Sequence, residues 1–371
     1  MNILSKYQEI DTPALLIDLD SVQGNILLMQ QKANRYGVAL RPHTKTHKIP
    51  YLAMLQLDQG ACGITVAKVG EAEVMADSGI HDIFIANEIV GRDKLKRIRI
   101  LLEYSRICVG VDSDFHVEQL EEALHGSDKK LPVRIEVEVG ENRSGVLDVA
   151  QAISLAIRIK ESQVLTFDGI FCHEGHTYQA TSIEDAEQLS IISQQYMIRM
   201  ADAIRQAGVP VTTVSIGSTP SMLTSEILKG ITEIRPGTYI FMDAAQSNIV
   251  NDIDRCAATV LATVISIPTD DRVVLDAGAK ALTAQKRVGG ICNTPGNGIL
   301  KGSNNIRLSR VFDEHGIIIN DQLKQHLTIG DKVEIIPNHI CPAVNLYNIA
   351  YLVSRGHVVR VLTIDGRGKT Q

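Results

Sequence analysis

The sequence predicts an α/β protein, a (β/α)8 TIM barrel followed by a smaller β domain. Three observations point there. Eight short β-rich apolar runs fall between residue 38 and about residue 243, and helical patterns separate most of them or lead into them, as in a parallel sheet with crossover helices. Eight such strands suit a closed barrel. After Ala258 strand-like runs follow without long helices, and 371 residues is too long for one small core.

The elements follow in order. An early strand, Ala14–Asp18, is compatible with either unit. A helix over Ser21–Tyr36 starts after Asp20, a suitable N-cap, and stops at Gly37. The barrel runs are Val38–Arg41, Gly63–Val66, Asp82–Ala86, Ile107–Val111, Val133–Val139, Gly169–Cys172, Thr213–Ile216 and Tyr239–Met242. A long helix over Ile183–Gln206 is ended by Gly208 and Pro210. The β domain contributes Thr259–Ile267, Arg272–Asp276, Lys332–Ile336 and Ala350–Leu362. The division is a barrel over residues 20–250 and a β-rich domain formed by residues 1–19 and 251–371.

Composition narrows the function. With 44% apolar and 22% charged residues, the chain is ordinary globular sequence. A net charge of -6 and scattered Lys and Arg argue against a nucleic-acid surface. No run resembles a signal peptide or a membrane helix, so a soluble, cytoplasmic protein with a small-molecule ligand is expected. Cysteines at 62, 108, 172, 256, 292 and 341 form neither a disulfide framework nor a CxxC pair.

Barrels carry their chemistry at the C-terminal ends of the strands and often bind phosphate after strands seven and eight. Strand one ends in Arg41-Pro42-His43-Thr44-Lys45-Thr46-His47-Lys48, strand five in Gly140-Glu141-Asn142-Arg143, and strand six in His173-Glu174-Gly175-His176-Thr177-Tyr178. Strand seven runs into Gly217-Ser218-Thr219-Pro220, a small polar turn suited to cradling a phosphate, and Arg235 and Tyr239 follow. Each has a plain alternative: Lys45 as a solvated charge, Arg143 as a surface ion pair, the two histidines as hydrogen-bonded scaffold, Gly217–Thr219 as an ordinary turn. Their gathering at one mouth favours chemistry. His339 and Cys341 follow the strand Lys332–Ile336, and in an extended chain a spacing of two puts both side chains on one face. Imidazole and thiolate suit zinc, although Cys341 alone also reads as a core residue.

On these residues, together with Asp11-Thr12-Pro13-Ala14-Leu15, Arg235-Pro236-Gly237-Thr238-Tyr239, Asp276-Ala277-Gly278 and Pro337-Asn338-His339-Ile340-Cys341-Pro342, the chain resembles the D-threonine aldolase and D-serine dehydratase family, a branch of the alanine-racemase-like pyridoxal-phosphate enzymes, from about Asp11 to the C-terminus. The resemblance implies pyridoxal 5'-phosphate held covalently on Lys45, its phosphate on Gly217, Ser218, Thr219 and Tyr239, with Arg143 and Tyr178 near the ring. It also implies a divalent metal on His339 and Cys341, a homodimer, and a small D-amino acid substrate. A cysteine as second ligand is similar to the dehydratase-like members and favours zinc, with manganese as the alternative. The expected activity is therefore a metal-dependent dehydratase of D-β-hydroxy amino acids, in which Lys45, His339 and Cys341 carry the chemistry. Retro-aldol cleavage is the alternative, and racemase or cofactor-carrier readings rank lower.

Overall fold

A computed structural model describes residues 3–371. In chain order the elements begin with β1 (Ala14–Asp18), α1 (Leu19–Tyr36), β2 (Ala39–Leu40), α2 (Pro50–Asp58), β3 (Ile64–Val66) and α3 (Val69–Asp77). They continue with β4 (Asp82–Glu88), α4 (Arg92–Tyr104), β5 (Arg106–Val111), α5 (Asp114–Leu124), β6 (Leu131–Glu136) and α6 (Val149–Glu161). Next come β7 (Leu165–Phe171), α7 (Ile183–Gln206), β8 (Thr213–Ile216), α8 (Thr219–Thr224), β9 (Glu233–Ile234) and α9 (Ala244–Val250). The remainder is β10 (Ala258–Thr269), β11 (Arg272–Leu275), α10 (Ala279–Leu282), β12 (Ile299–Leu300), β13 (Arg310–Val311), β14 (Gly316–Ile319), β15 (Lys332–Ile336), α11 (Ile340–Val344), β16 (Ile349–Ser354) and β17 (His357–Thr363).

The chain divides into two units. One comprises Leu28–Lys45, Pro50–Gly237 and the C-terminal Gly368–Gln371, and it holds eight parallel strands in the order β2-β9-β8-β7-β6-β5-β4-β3. Its helices pack apolar faces inward: in α4, Leu95, Ile98, Leu101 and Leu102 recur at helical spacing and are buried. The sheet closes on itself through one bridge, His43 to Thr65. There the N–H groups of Cys62 and Thr65 donate to the carbonyls of Leu40 and Pro42 at 2.9 and 2.8 Å. Two threonine hydroxyls reinforce the seam, Thr44 Oγ1 donating to Thr65 O and Thr65 Oγ1 to Arg41 O, each at 3.1 Å.

The eighth strand differs from expectation. It is Glu233–Ile234, and the Tyr239–Met242 run holds instead a 3-10 turn over Thr238–Ile240 followed by Met242 at φ 53°. Pro236 and Gly237 break the extended chain between them. The true strand escapes a hydrophobicity reading because it is two residues long and one of them is a glutamate.

The other unit runs to Leu27 and adds Thr46–Ile49 and Thr238–Arg367. Its sheet has the order β13-β14-β11-β10-β1-β16-β17, with β15 joined to β10 and β12. All pairings are antiparallel except β1 with β16. The early strand β1 therefore belongs to this sheet. The Ala350–Leu362 run is a hairpin, because Arg355 and Gly356 take φ of 50° and 82° and reverse the chain between β16 and β17. Val260, Leu275, Leu300, Val333 and Ile335 lie in one buried apolar cluster of this unit. All six cysteines are free thiols. Among the described residues no helix is long and apolar enough to cross a membrane.

Candidate active site

In the barrel unit, Lys45 lies on a 3-10 turn over Thr44–Thr46, immediately after strand β2. Its backbone N–H faces His43 Nδ1 at 3.4 Å. The His43 N–H donates to Pro236 O at 3.0 Å, which ties this turn to the segment after β9. Burial holds the His43 imidazole well below the usual histidine range, and the charges of Lys45 and Arg235 add to the effect. His173 behaves the same way, through burial first and then Lys45 and Arg143; its Nδ1 pairs with Gly217 O at 3.1 Å. Both rings are therefore neutral at physiological pH.

Arg143 is held by two carboxylates, Glu136 Oε1 at 3.0 Å and Glu141 Oε2 at 3.4 Å. Beyond Glu136 lies Glu88, whose carboxyl is pushed up to about 9 by burial and by a hydrogen bond shared with Glu136. A carboxyl raised beside another is expected where two like charges are buried close together. Tyr178 stands on the 3-10 turn Gly175–Gln179, half-buried.

Gly217 takes φ 137°, and a Cβ there would meet Arg235 N at 3.0 Å, so only glycine is comfortable at this turn. Ser218 and Ser221 form a capping box at the start of α8. Thr219 Oγ1 is buried without a hydrogen-bond partner. A buried hydroxyl left in that state costs free energy unless a ligand completes it, and a glycine-led turn with a hydroxyl to spare fits a phosphate.

In the β unit, Tyr239 is fully buried on its 3-10 turn. His339 is the N-cap of α11 and Cys341 lies in the first turn of that helix. The chain does not stay extended through the pair, as the spacing argument assumed, because α11 starts at Ile340. Asp243 fixes that start. Its Oδ2 accepts from Ile340 N at 3.1 Å, while its Oδ1 caps α9 by accepting from Gln246 N at 2.9 Å. Burial raises the Asp243 carboxyl, and His339 works in the opposite direction.

His339 Nδ1 lies 3.1 Å from Gln285 Oε1. An amide oxygen only accepts, so the ring proton sits on Nδ1 and Nε2 is the nitrogen with the lone pair, the tautomer that could ligate a metal through Nε2. Cys341 Sγ lies 3.4 Å from Thr46 Oγ1 and 3.6 Å from Thr238 Oγ1. Two hydroxyls beside the sulfur can donate to a thiolate. Among the described residues no group of three or more His, Cys, Asp or Glu gathers as metal ligands. The His339 imidazole and the Cys341 thiol are two donors that could hold a metal.

The structure thus brings Lys45, Arg143, Tyr178, Gly217, Ser218 and Thr219 into the barrel unit, and places Tyr239, His339 and Cys341 in the β unit. Sequence reasoning missed Glu88, Asp243 and Gln285. Only Asp243 carried a signal, as an aspartate directly before a helix.

Two domain families match the chain: the alanine racemase N-terminal domain over residues 17–245 and the serine dehydratase domain over residues 257–353. The D-threonine aldolase of Arthrobacter sp. is 33% identical over 97% of this chain and 93% of its own length. The D-threo-3-hydroxyaspartate dehydratase of Delftia sp. strain HT23 is 32% identical over 90% of this chain and 91% of its own. Among solved structures, D-threonine aldolase from Filomicrobium marinum superposes with a TM-score of 0.90 at 30% identity, covering 100% of both chains. A cysteine-to-alanine mutant of D-threo-3-hydroxyaspartate dehydratase, described as being in the metal-free form, gives 0.89 at 28% identity and covers 96% of this chain and 98% of its own.

Proposed function

The chain belongs to the alanine-racemase-like pyridoxal-phosphate lyases that act on D-amino acids, and from that premise we propose that it eliminates the β-hydroxyl of a D-β-hydroxy amino acid, the enamine product hydrolysing to a keto acid and ammonia. The observation that supports this reading is the pair His339 and Cys341, with Gln285 holding the ring proton on Nδ1 and the sulfur beside two hydroxyls. Hydroxide leaves poorly without a Lewis acid, and imidazole with thiolate selects a borderline-soft ion such as zinc, manganese being the alternative.

Lys45 is the residue assigned to the cofactor, Gly217, Ser218, Thr219 and Tyr239 to its phosphate, and Arg143 and Tyr178 to its ring. Bound there, the cofactor supplies an electron sink for charge at Cα, and the metal on His339 and Cys341 supplies Lewis acidity for the departing hydroxyl. The chain's own part is proton handling and orientation. Lys45 Nζ takes the α-proton. His43 and His173, held neutral, add no positive charge beside it. The Glu136 and Glu141 carboxylates fix the Arg143 guanidinium. The protein is proposed to act as a homodimer, on the family likeness alone, and sedimentation checks this.

A second reading has its own support, since a relative at 33% identity is a D-threonine aldolase. In that reaction the β-hydroxyl loses its proton and the Cα–Cβ bond breaks, giving glycine and an aldehyde. The test is to incubate purified protein with pyridoxal phosphate and zinc or manganese, add D-serine, D-threonine or D-threo-3-hydroxyaspartate, and identify the products. Keto acid with ammonia supports the dehydratase, and glycine with an aldehyde supports the aldolase. Substrate that is merely racemised, or untouched, overturns both.

A further inference from the structure

A carboxyl lies behind the Gly217–Thr219 turn. Glu174 is fully buried, and among the described residues it has no ion-pair partner at contact distance; its side-chain neighbours Ser190 and Ser221 meet it through hydroxyls. Ser190 Oγ on α7 donates to its Oε1 at 2.7 Å, and Ser221 Oγ on α8 donates to its Oε2 at 2.8 Å. Ser221 Oγ accepts from Ser218 N at 3.1 Å and lies 3.0 Å from Ser218 Oγ. Ser218 Oγ in turn accepts from Ser221 N at 3.3 Å and lies 2.9 Å from Thr177 Oγ1. A continuous line of hydroxyls therefore joins Glu174 to the turn that the proposed function assigns to the cofactor phosphate.

Each hydroxyl has one proton, so the direction of the line can be worked out. Thr177 gives its proton to Glu174 O at 2.6 Å. An ionised Glu174 only accepts, and it claims the protons of both Ser190 and Ser221. Ser221 then has nothing to give Ser218, and the Ser218 proton is held inward, on Ser221 Oγ or on Thr177 Oγ1. A protonated Glu174 can donate to Ser221 and Ser221 to Ser218, so that the Ser218 proton no longer points at Ser221 and a ligand competes for it with Thr177 Oγ1 alone.

We propose that Glu174 is a positioning residue for the phosphate turn: acting through Ser221, it sets which way the Ser218 hydroxyl points, and in its protonated form it favours a phosphate monoester dianion. The inference rests on the reading of Gly217–Thr219 as the phosphate site. The surrounding charges suit a carboxyl that changes state near neutrality. Burial pushes Glu174 up to about 7, against the pull of the two serine hydrogen bonds and of Arg235 and Lys32. Lys32 comes from α1, where its ammonium donates to Met222 O and Ser225 O at the end of α8. Arg235 follows β9, where its guanidinium donates to Ser215 Oγ and Cys172 O. The adjacent His173 is held neutral, and burial lowers His176 as well. A dianion arriving at the turn adds negative charge, disfavours the carboxylate further, and so takes up a proton on binding.

The test compares the affinity of the apoprotein for pyridoxal 5'-phosphate with that for pyridoxal between about pH 7 and about pH 9, by cofactor absorbance. The ratio cancels the titration of Lys45, which both aldehydes share. In the wild type the ratio should fall with rising pH, toward a limit of about tenfold per unit for one linked proton. Glu174→Gln, whose amide keeps a donor toward Ser221, should hold the ratio high and nearly flat. Ser221→Ala, which cuts the line but leaves the charge of Glu174 in place, should lower the ratio and weaken its pH dependence, and it carries the same test if the glutamine variant does not fold. A wild-type ratio independent of pH, or one equally pH-dependent in both variants, overturns the proposal. Ser218→Ala separates this from the underlying reading: if it leaves the ratio unchanged, the turn is not the phosphate site and both ideas fall.

Discussion

The two units differ in the buried charged groups that their interiors hold. Inside the barrel, Glu233 on β9 accepts from Arg41 Nε at 2.7 Å, from Arg134 Nη1 at 2.6 Å and from Ser215 Oγ at 2.7 Å. Arg134 stands on β6, three strands from β9 in the sheet order, so the two meet across the lumen. Asp82 and Asp168 take the outer faces of the two arginines. Deeper apolar contact comes from Phe84 and Phe171, against which the Arg235 guanidinium lies 5.5 and 5.1 Å from the ring centroids. The β unit has instead its aliphatic cluster, and its buried Asp243 is satisfied by backbone N–H groups rather than by a cation. The two carboxyls show the consequence. The arginines hold Glu233 down to about 2 in spite of its burial, whereas burial raises Asp243. An ionic interior depends on every member being present, while an aliphatic one depends on volume.

The largest expected effect follows from removing the central charge. Glu233→Gln leaves two buried arginines short of a counter-ion and should cost about 3–5 kcal/mol in urea unfolding. A loss below about 1 kcal/mol would show that the lumen is not held by charge. The pH dependence sharpens the point. Because the folded value of Glu233 is depressed, its contribution is present above the ordinary glutamate value of 4.5 and is lost as pH falls toward about 2. That stretch of acid destabilisation should shrink in Glu233→Gln, measured as unfolding midpoint against pH.

A smaller effect is expected at Asp243. Replacement by Ala removes the α9 cap and the acceptor for Ile340 N, which should cost about 1–2 kcal/mol. It should also weaken zinc binding by roughly tenfold to a hundredfold in a chelator competition, because the His339–Cys341 turn loses its anchor. Unchanged zinc affinity would separate the anchor from the ligand pair. The smallest effect should come from the aliphatic cluster: Ile335→Val should cost about 1 kcal/mol by thermal or urea unfolding. A cost equal to that of Glu233→Gln would erase the contrast between the units.

The same contrast explains what the sequence could reveal. Apolar runs mark strands such as Thr213–Ile216 and Lys332–Ile336 and the helix Ile183–Gln206 at their observed bounds. Glu233 gave no such signal, because its partners Arg41 and Arg134 lie 192 and 99 residues away and a charge in a two-residue strand looks like loop. At the candidate site, the residues with unusual chemistry in short motifs could be found directly. Gln285, 54 residues before His339, could not. A glutamine among polar loop residues has no spacing that marks it, and only the folded chain shows which ring nitrogen it meets.

The seam between β2 and β3 bears on Lys45 in another way. Seven of the barrel's junctions are strand ladders, and among the described residues this one is a single bridge supplemented by two threonine hydroxyls. Local opening of a fold is drawn from its least connected places. The seam is therefore where amide hydrogens of the barrel should exchange earliest, and those of Cys62 and Thr65 report on it. Lys45 begins five residues after Leu40, on the loop that this seam fixes. Anything that binds at Lys45 and orders the loop should slow exchange at Cys62 and Thr65, which makes two backbone protons, one just before β3 and one on it, a gauge of cofactor loading.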